Sequence, residues 1–296
     1  MINELDDIKS VFYKNKVKII TLNNGEKYAL YTRKSNVLKT YNYLTSRGFN
    51  DFLHPIEFNN SYYEIYPYIE DNVSIEDKAK DLIYIMAMLH TKTTIYENLD
   101  KDRVKEIYED ISGKINYLDS YYHDLQDYIE TKEFMSPAQY LLIRNISKIY
   151  ASLYYCKDSL EEWYKLILTK QKQRKVFLHN NISLDHFLEN KKAYLINWKR
   201  SKKDYVIYDF VSFYRNEYNN VEMIDLFDLY QSKYKYTKDE YILFSILIVL
   251  PYKIDFSNDV YLDTIKVRQL INFVLIGDKF LSEENKKYKT THDNKF

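Results

Sequence analysis

The 296-residue sequence predicts an α+β fold of two lobes, with a small strand-rich lobe at 1–68, a larger and mainly helical lobe at 69–282, and a polar tail at 283–296. Two patterns predict this division. Hydrophobic residues alternate along much of the first lobe, as they do in strands, and from Ser74 onward they recur at helical spacing. The composition agrees, because 46% hydrophobic and 17% aromatic residues supply enough apolar surface for a substantial core.

Two strands and a helix are predicted first in the small lobe. Val17 to Leu22 and Lys27 to Thr32 alternate, and Asn23-Asn24-Gly25 between them is a hairpin turn signal because Asn and Gly tolerate positive φ. A short amphipathic helix is predicted from about Asn36 to Arg47, with Gly48 as its C-cap.

A second hairpin is predicted to complete the small lobe. One of its strands surrounds Ile56, and the other is Tyr62 to Tyr66, which ends at Pro67. The segment from Tyr68 to Val73 then predicts a hinge, because the hydrophobic period changes after it. The two lobes are therefore expected to meet at this segment.

The large lobe carries helix start signals. Capping residues predict helices that begin after Ser74, paired with Asp77, after Ser136, which precedes Pro137, and after Thr237, paired with Glu240. Two short strands, Val176 to His179 and Ala193 to Ile196, are predicted around a polar turn at 190–192. A last helix is predicted from about Asp263 to Leu275, and the polar chain after Ser282 is expected to be loose.

Charge and cysteine content exclude several classes of function. The 43 basic and 43 acidic side chains cancel, so no nucleic-acid or membrane partner is predicted. The lysines at positions 14, 16 and 18, beside Tyr13, are interpreted as a solvated strand face. The longest apolar run, Tyr241 to Leu250, has about ten residues, whereas a membrane-spanning helix needs about twenty. Cys156 is the single cysteine, which excludes an internal disulfide, and Met1 to Ser10 lacks a secretory signal, so a cytoplasmic location is expected.

Four motifs of the large lobe resemble a known family in order and spacing. The segment FLHNNISLDHF at 177–187 resembles the catalytic loop of aminoglycoside and choline phosphotransferases, which reads His-Gly-Asp-Leu, three residues, then Asn. The segment YLINWK at 194–199 resembles their metal-binding segment, usually Leu-Ile-Asp-Trp-Glu. Met88-Leu89-His90 and Tyr208-Asp209-Phe210 match the family's Leu-His and Tyr-Asp-Leu. The resemblance implies a bilobed protein-kinase-like fold.

The positions that carry phosphoryl transfer in this family hold other residues here. In such enzymes a loop Asp orients the attacking hydroxyl, a loop Asn and a second Asp hold magnesium, and a Lys–Glu pair anchors the phosphates. By the resemblance, the catalytic Asp is replaced by Asn181, the loop Asn by His186, the metal Asp by Asn197 and the strand Lys by Tyr31. No acidic residue lies between positions 33 and 50, where the partner Glu is expected.

These substitutions predict that catalysis is lost. The amide of Asn181 cannot act as a general base near neutral pH. Magnesium prefers carboxylate oxygen, so Asn197 holds it weakly, and His186 is a poor substitute ligand. No cofactor is therefore expected. No zinc site is expected either, because His179, His186 and Cys156 do not have the spacing of zinc ligands.

The family residues that remain have structural explanations. We expect His179 to bond backbone atoms beneath the metal segment, Asp209 to accept hydrogen bonds from buried donors, and His90 and Trp198 to pack in the core. Asp185 is the only nearby carboxylate that could replace the lost base. Its loop position usually faces away from the cleft in this family.

Three hypotheses remain for the function. The first is a pseudokinase that binds another protein, because within the superfamily the chain is most similar to the spore-coat (CotS-type) kinase-like proteins of low-GC Gram-positive bacteria. That likeness implies a place in the spore coat if the source sporulates. The second is a small-molecule phosphotransferase that uses ATP and magnesium with relocated catalytic groups, such as Asp185. The third is a sensor that binds a nucleotide or metabolite without metal, through Asn181 and Asn197.

Overall fold

The computed structural model describes residues 8–14, 17–32, 37–56, 63–257 and 259–293. A small antiparallel sheet with one helix lies at the start of the chain, and the larger remaining part is mainly helical. The α+β fold class predicted from the sequence is therefore confirmed.

The first sheet has four strands, paired in the order of the chain. They are β1 (Ile8–Lys14), β2 (Val17–Leu22), β3 (Lys27–Thr32) and β4 (Tyr63–Pro67). The predicted bounds of β2 and β3 are confirmed, and Ile56 forms an isolated bridge with Ile65 on β4. The predicted first residue of β4, Tyr62, lies outside the described residues. In the register, Tyr31 on β3 pairs with Glu64 on β4, so both lie at the same height in the sheet.

Strand β1 was not predicted, and its exposure explains why. It is the outer strand of the sheet, and its consecutive residues Val11, Phe12 and Tyr13 are all exposed. A strand without a buried face has no reason to alternate hydrophobic and polar residues, so the period-2 signal is missing.

Helix α1 (Leu38–Ser46) lies beside the sheet. Gly48 follows it with φ of 74°, which the predicted C-cap requires, because residues with a side chain rarely adopt that backbone conformation. The predicted first residue, Asn36, lies outside the described residues.

The helical part contains seven longer helices within the described residues. They are α2 (Ile75–Thr93), α3 (Lys101–Glu130), α4 (Pro137–Leu168), α5 (Ile207–Glu217), α6 (Met223–Lys233), α7 (Lys238–Val249) and α8 (Val260–Asp293). The predicted caps are confirmed: Ser74 accepts a hydrogen bond from the Asp77 backbone at 3.2 Å, and Ser136 and Thr237 each open a helix with a capping box. None of the described helices is long and apolar enough to cross a membrane.

Five short strands connect these helices. Three form one sheet in the order β5 (Ile95–Asn98), β6 (Lys172–Leu178) and β9 (Lys202–Asp204), and two form a hairpin, β7 (Phe187–Glu189) with β8 (Ala193–Leu195). The two predicted strands correspond to the end of β6 and to β8. Strands β5, β7 and β9 were not predicted, because each is too short to show a hydrophobic pattern. The polar turn at 190–192, which was predicted between the two strands, joins β7 to β8 instead.

Helix α8 corrects the prediction for the end of the chain. We predicted a helix from about Asp263 to Leu275 and a loose segment after Ser282, whereas the helix runs from Val260 to Asp293. Its buried residues pack against α4 and α7. Beyond them, the ammonium group of Lys287 pairs with Asp228 on α6, at 2.6 Å, and with Glu284. The end of this helix is polar and shows no hydrophobic periodicity, so the sequence pattern did not predict it as helical. Lys287 nevertheless contacts α6 there.

A buried carboxyl group joins three segments of the helical part. Asp209 on α5 is fully buried and accepts hydrogen bonds from the backbone N–H groups of His179, at 2.9 Å, and Asn180, at 2.6 Å. His90 on α2 donates from Nε2 to the same carboxyl at 3.1 Å, and its Nδ1 lies 2.7 Å from the hydroxyl of Tyr230 on α6. This network positions the loop that follows β6.

Replacing Asp209 with Ala should therefore be strongly destabilising. Two backbone donors and one imidazole would lose their acceptor in the core, and a broken buried network of this kind costs about 3–5 kcal/mol. Urea denaturation should give this loss in the free energy of unfolding. The control Asp110→Ala, on the exposed face of α3, should change it by no more than about 0.5 kcal/mol. A loss below about 1 kcal/mol for Asp209→Ala would contradict the role given to this network.

Candidate functional site

An open cleft lies between the first sheet and the helical part, with a cavity of about 240 Å³. The sheet side contributes Val17, Ile19, Ala29, Tyr31, Glu64 and Tyr66, and α1 contributes Tyr41. The helical side contributes Lys78, Asp185, Leu188, Ile196, Asn197 and Lys199. Tyr68, Ile69 and Asp71 of the predicted hinge segment also line the cleft. Apolar and aromatic side chains thus form most of the wall, and charged side chains line it from the sheet, the hinge segment and the helical part.

The loop after β6 holds His179 in the core. Its side chain is fully buried, and its Nε2 atom donates to the carbonyl of Ile196 at 2.8 Å. Burial lowers the pKa of His179 to about 4, so the imidazole is neutral at physiological pH. The ring also meets the indole of Trp198 edge-on, with centroids 4.7 Å apart. His179 therefore ties this loop to the segment at 194–199.

Two asparagines adopt the left-handed backbone conformation in these two segments. Asn180 has φ of 58° and Asn197 has φ of 67°. Asn tolerates this conformation better than most residues with a side chain, because its short amide bonds locally. The amide of Asn180 donates to the carbonyl of Arg200 at 3.0 Å, which supports the turn.

The structure brings His186 and Asn197 together. The Nε2 atom of His186 lies 3.0 Å from the amide nitrogen of Asn197, and its Nδ1 atom lies 2.8 Å from the backbone carbonyl of Asn181. A carbonyl oxygen only accepts, so Nδ1 carries the hydrogen and Nε2 of the neutral ring accepts from the Asn197 amide. The positions that the resemblance assigns to the two metal-holding residues are thus occupied by a neutral amide–imidazole pair.

Tyr31, at the position predicted for the strand lysine, lines the sheet side of the cleft. Its ring meets that of Tyr66 edge-on, with centroids 5.6 Å apart. Burial raises the pKa of Tyr31, which keeps the phenol neutral. The described lysines that line the cleft are Lys78, which pairs with Asp71, and Lys199, and both come from the helical side.

Asp185 differs from its expected orientation. The loop position usually faces away from the cleft in the family, but here Asp185 is exposed and lines the cavity. Its neighbours in the 3₁₀ turn at 184–186 explain this: the Leu184 N–H donates to Glu217, and the ring of His186 turns to Asn197, which leaves Asp185 on the open side.

A carboxyl cluster beside the cleft was missed by the sequence analysis. The carboxyl of Glu189 on β7 lies close to Asp81 on α2, and Asp71 and Lys78 are also near it. Partial burial and the two aspartates raise the pKa of Glu189 to about 7. Three separate segments bring these groups together, so no local motif could have predicted them.

The remaining metal-ligand candidates lie apart in the fold. Cys156 is buried on α4, with its thiol 3.7 Å from the carbonyl of Ile246 on α7, and burial raises the pKa of this thiol to about 12. His179 and His186 are in the loop after β6. Across the ranges that the structure describes, no group of three His, Cys, Asp or Glu residues is placed to hold a metal ion.

Solved structures share this architecture. An aminoglycoside phosphotransferase from Alicyclobacillus acidocaldarius is 12% identical, with a TM-score of 0.66 over 97% of this chain and 94% of its own. A spectinomycin phosphotransferase in complex with AMP is 14% identical, with a TM-score of 0.58 over 92% of this chain and 93% of its own. No protein-family profile matches the sequence, and neither does any curated protein. The chain therefore has the kinase-like fold of aminoglycoside phosphotransferases, as the sequence motifs implied.

The raised pKa of Glu189 should make the stability of the protein depend on pH. Its pKa rises from 4.5 to about 7 on folding, so its contribution to stability is present below pH 4.5 and is lost as the pH rises through about 7. Gln cannot ionise. The stability of Glu189→Gln relative to wild type should therefore be greater at pH 8 than at pH 5 in urea titrations. The exposed control Glu133→Gln should show no such trend, and a pH-independent difference for Glu189→Gln would contradict the raised pKa.

Proposed function

We propose that this protein is a pseudokinase: it has a phosphotransferase fold, does not transfer a phosphoryl group, and acts by binding. The neutral pair of His186 and Asn197 is the observation that carries this proposal. It occupies the positions where the resemblance expects two magnesium ligands, and a hard divalent cation prefers carboxylate oxygens to an amide and an imidazole.

The other cleft positions support the same function. The side chain of Asn181 stands where a base is needed, and an amide does not take a proton near neutral pH. Tyr31 places a neutral phenol where a cation would hold the phosphates. Losing the base alone typically costs about 10² to 10⁴ in rate, and losing electrostatic stabilisation costs further factors. The combined loss leaves no useful turnover.

Binding of another protein is proposed as the activity that remains. The outer strand β1 supports it, because Val11, Phe12 and Tyr13 are exposed on a strand whose outer edge pairs with no other described strand, and such edges readily pair with another chain. The likeness to spore-coat kinase-like proteins suggests a coat or assembly component as the setting. That setting, like a cytoplasmic location, stays a prediction from the sequence.

One observation favours the enzyme alternative. Asp185 lines the cavity and forms no hydrogen bond or ion pair with another described residue. A carboxylate in the cleft can act as a base where Asn181 cannot. Such an enzyme would need ATP and magnesium. The position of Asp185 is the reason to test turnover directly.

The proposal predicts no phosphoryl transfer and no magnesium-dependent nucleotide binding. Release of ADP from ATP should stay at background for wild type and for Asp185→Asn, with a spectinomycin phosphotransferase as the active control. In a thermal-shift titration, ATP with magnesium should raise the melting temperature no more than ATP with EDTA, because only a ligand that binds the folded state stabilises it. Turnover that Asp185→Asn abolishes would establish the enzyme instead.

A further inference from the structure

One large aromatic side chain is exposed on the turn between α3 and α4. Phe134 is 82% exposed, the largest fraction among the large hydrophobic residues that the structure describes. Hydrogen bonds fix the turn at both ends: the N–H of Lys132 donates to the carbonyl of Ile129 at 3.1 Å, and Ser136 opens α4 with a capping box. The turn at 131–136 therefore presents Phe134 to solvent at a fixed place, although exposing such a side chain is unfavourable.

A groove of suitable size lies between α4 and α8. Its cavity is about 280 Å³, and the buried residues that line it are Val249, Val274 and Leu281. Ser152 also lines it and donates to the carbonyl of Val249 at 2.7 Å, so the hydroxyl already has a partner. An apolar cavity of about 150 Å³ binds a benzene molecule. The α4–α8 groove therefore has room for one aromatic side chain.

The charged residues of the turn and the groove are complementary. Lys148 on α4 and Asp278 on α8 line the groove and are exposed, and the other polar residues of its lining are neutral. In the turn, Lys132 and Glu133 directly precede Phe134. Lys148, Asp278 and Glu133 form no ion pair with another described residue. Each surface thus offers one cation and one anion, so unlike charges can face each other across a contact.

The turn cannot reach the groove of its own chain. The turn precedes Pro137 at the start of α4, and the groove is lined by Lys148 to Tyr155, which lie roughly 20 Å farther along the helix. The capping box of Ser136 and Gln139 holds the turn at the end of α4. The groove can therefore accept Phe134 only from another molecule.

We propose that this protein associates with itself, with Phe134 of one copy inserted into the α4–α8 groove of a second copy. An aromatic side chain on an ordered turn is a typical interface anchor, because it fills a pocket at little cost in conformational entropy. Exposed aromatic residues border both surfaces and enlarge the contact: Tyr128 and Tyr140 near the turn, and Tyr154 near the groove.

This inference goes beyond the proposed function. The turn and the groove share no residue with the interlobe cleft. Self-association therefore does not depend on whether the cleft transfers a phosphoryl group. It would give the binding activity proposed above a partner, namely a second copy of this chain.

Sedimentation velocity at protein concentrations from about 5 to 500 µM tests the contact. The average mass of wild type should rise with concentration above that of a single chain. Phe134→Asp should weaken the association by about tenfold or more, because it removes the burial of one aromatic side chain. The control Tyr261→Asp changes an aromatic residue that is 74% exposed on α8 and outside the groove, so it should associate as wild type does.

A mixture of two variants tests whether the groove is the partner surface. Ala151→Glu places a carboxylate in the groove from an exposed position of α4, so it should also weaken the association. At a concentration that half-associates wild type, each variant alone should be largely monomeric. An equimolar mixture of Phe134→Asp and Ala151→Glu should form a dimer with one copy of each, because one intact turn then meets one intact groove.

Melting temperatures separate loss of association from unfolding. Phe134 and Ala151 are exposed, so both variants should melt as wild type does. Ser282→Glu, at an exposed position of α8, alters the same groove and replaces Ala151→Glu if that variant is unstable.

The proposal would be overturned if wild type stayed monomeric, if Phe134→Asp associated as wild type does, or if the mixture of variants formed no dimer. Association that Phe134→Asp leaves unchanged would belong to another surface, such as the edge of β1. These outcomes are separate from those of the turnover assay. Phosphoryl transfer would refute the pseudokinase and leave the contact standing, and an inert monomer would refute only the contact.

Discussion

The carboxyl group of Asp209 is the interaction on which the cleft depends. It sits in the core and receives two backbone N–H groups from the loop after β6 and the imidazole of His90 from α2. These bonds hold the loop at its start, and His179 then ties the loop to the segment that carries Asn197. A buried polar network of this kind fixes geometry, because each member has its partner only in one arrangement. The Asp209 network therefore fixes the start of the loop.

The residues that hold the loop in place are different from the residues that line the cleft. The buried residues that hold the loop are His90, His179 and Asp209, and all three match the family motifs. At the positions that the resemblance assigns to metal and phosphate binding, the structure has an amide–imidazole pair and a phenol. None of these side chains takes part in the Asp209 network.

Those parts of the fold and site whose signals are local could be predicted from the sequence. Strands β2 and β3, the caps at Ser74 and Ser136, and the glycine turn after α1 follow from short-range patterns and were confirmed. The resemblance assigned His186 and Asn197 to two metal-holding positions, and the structure places their side chains in contact. By contrast, β1 lacks a buried face and the end of α8 is polar, so neither gave a hydrophobic period.

The amino-acid sequence by itself determined the fold class and the likeness to a family, and it supplied no ionic residue at the positions that this likeness assigns to catalysis, because each is a property of residue type and spacing along the chain. Only the tertiary structure decided that Asp185 lines the cavity, that the amide of Asn197 contacts His186, and that Glu189 lies close to Asp81. These depend on side-chain direction and on contacts between segments far apart in the chain. Hydrogen-bond geometry and burial select one orientation among several that the same sequence allows.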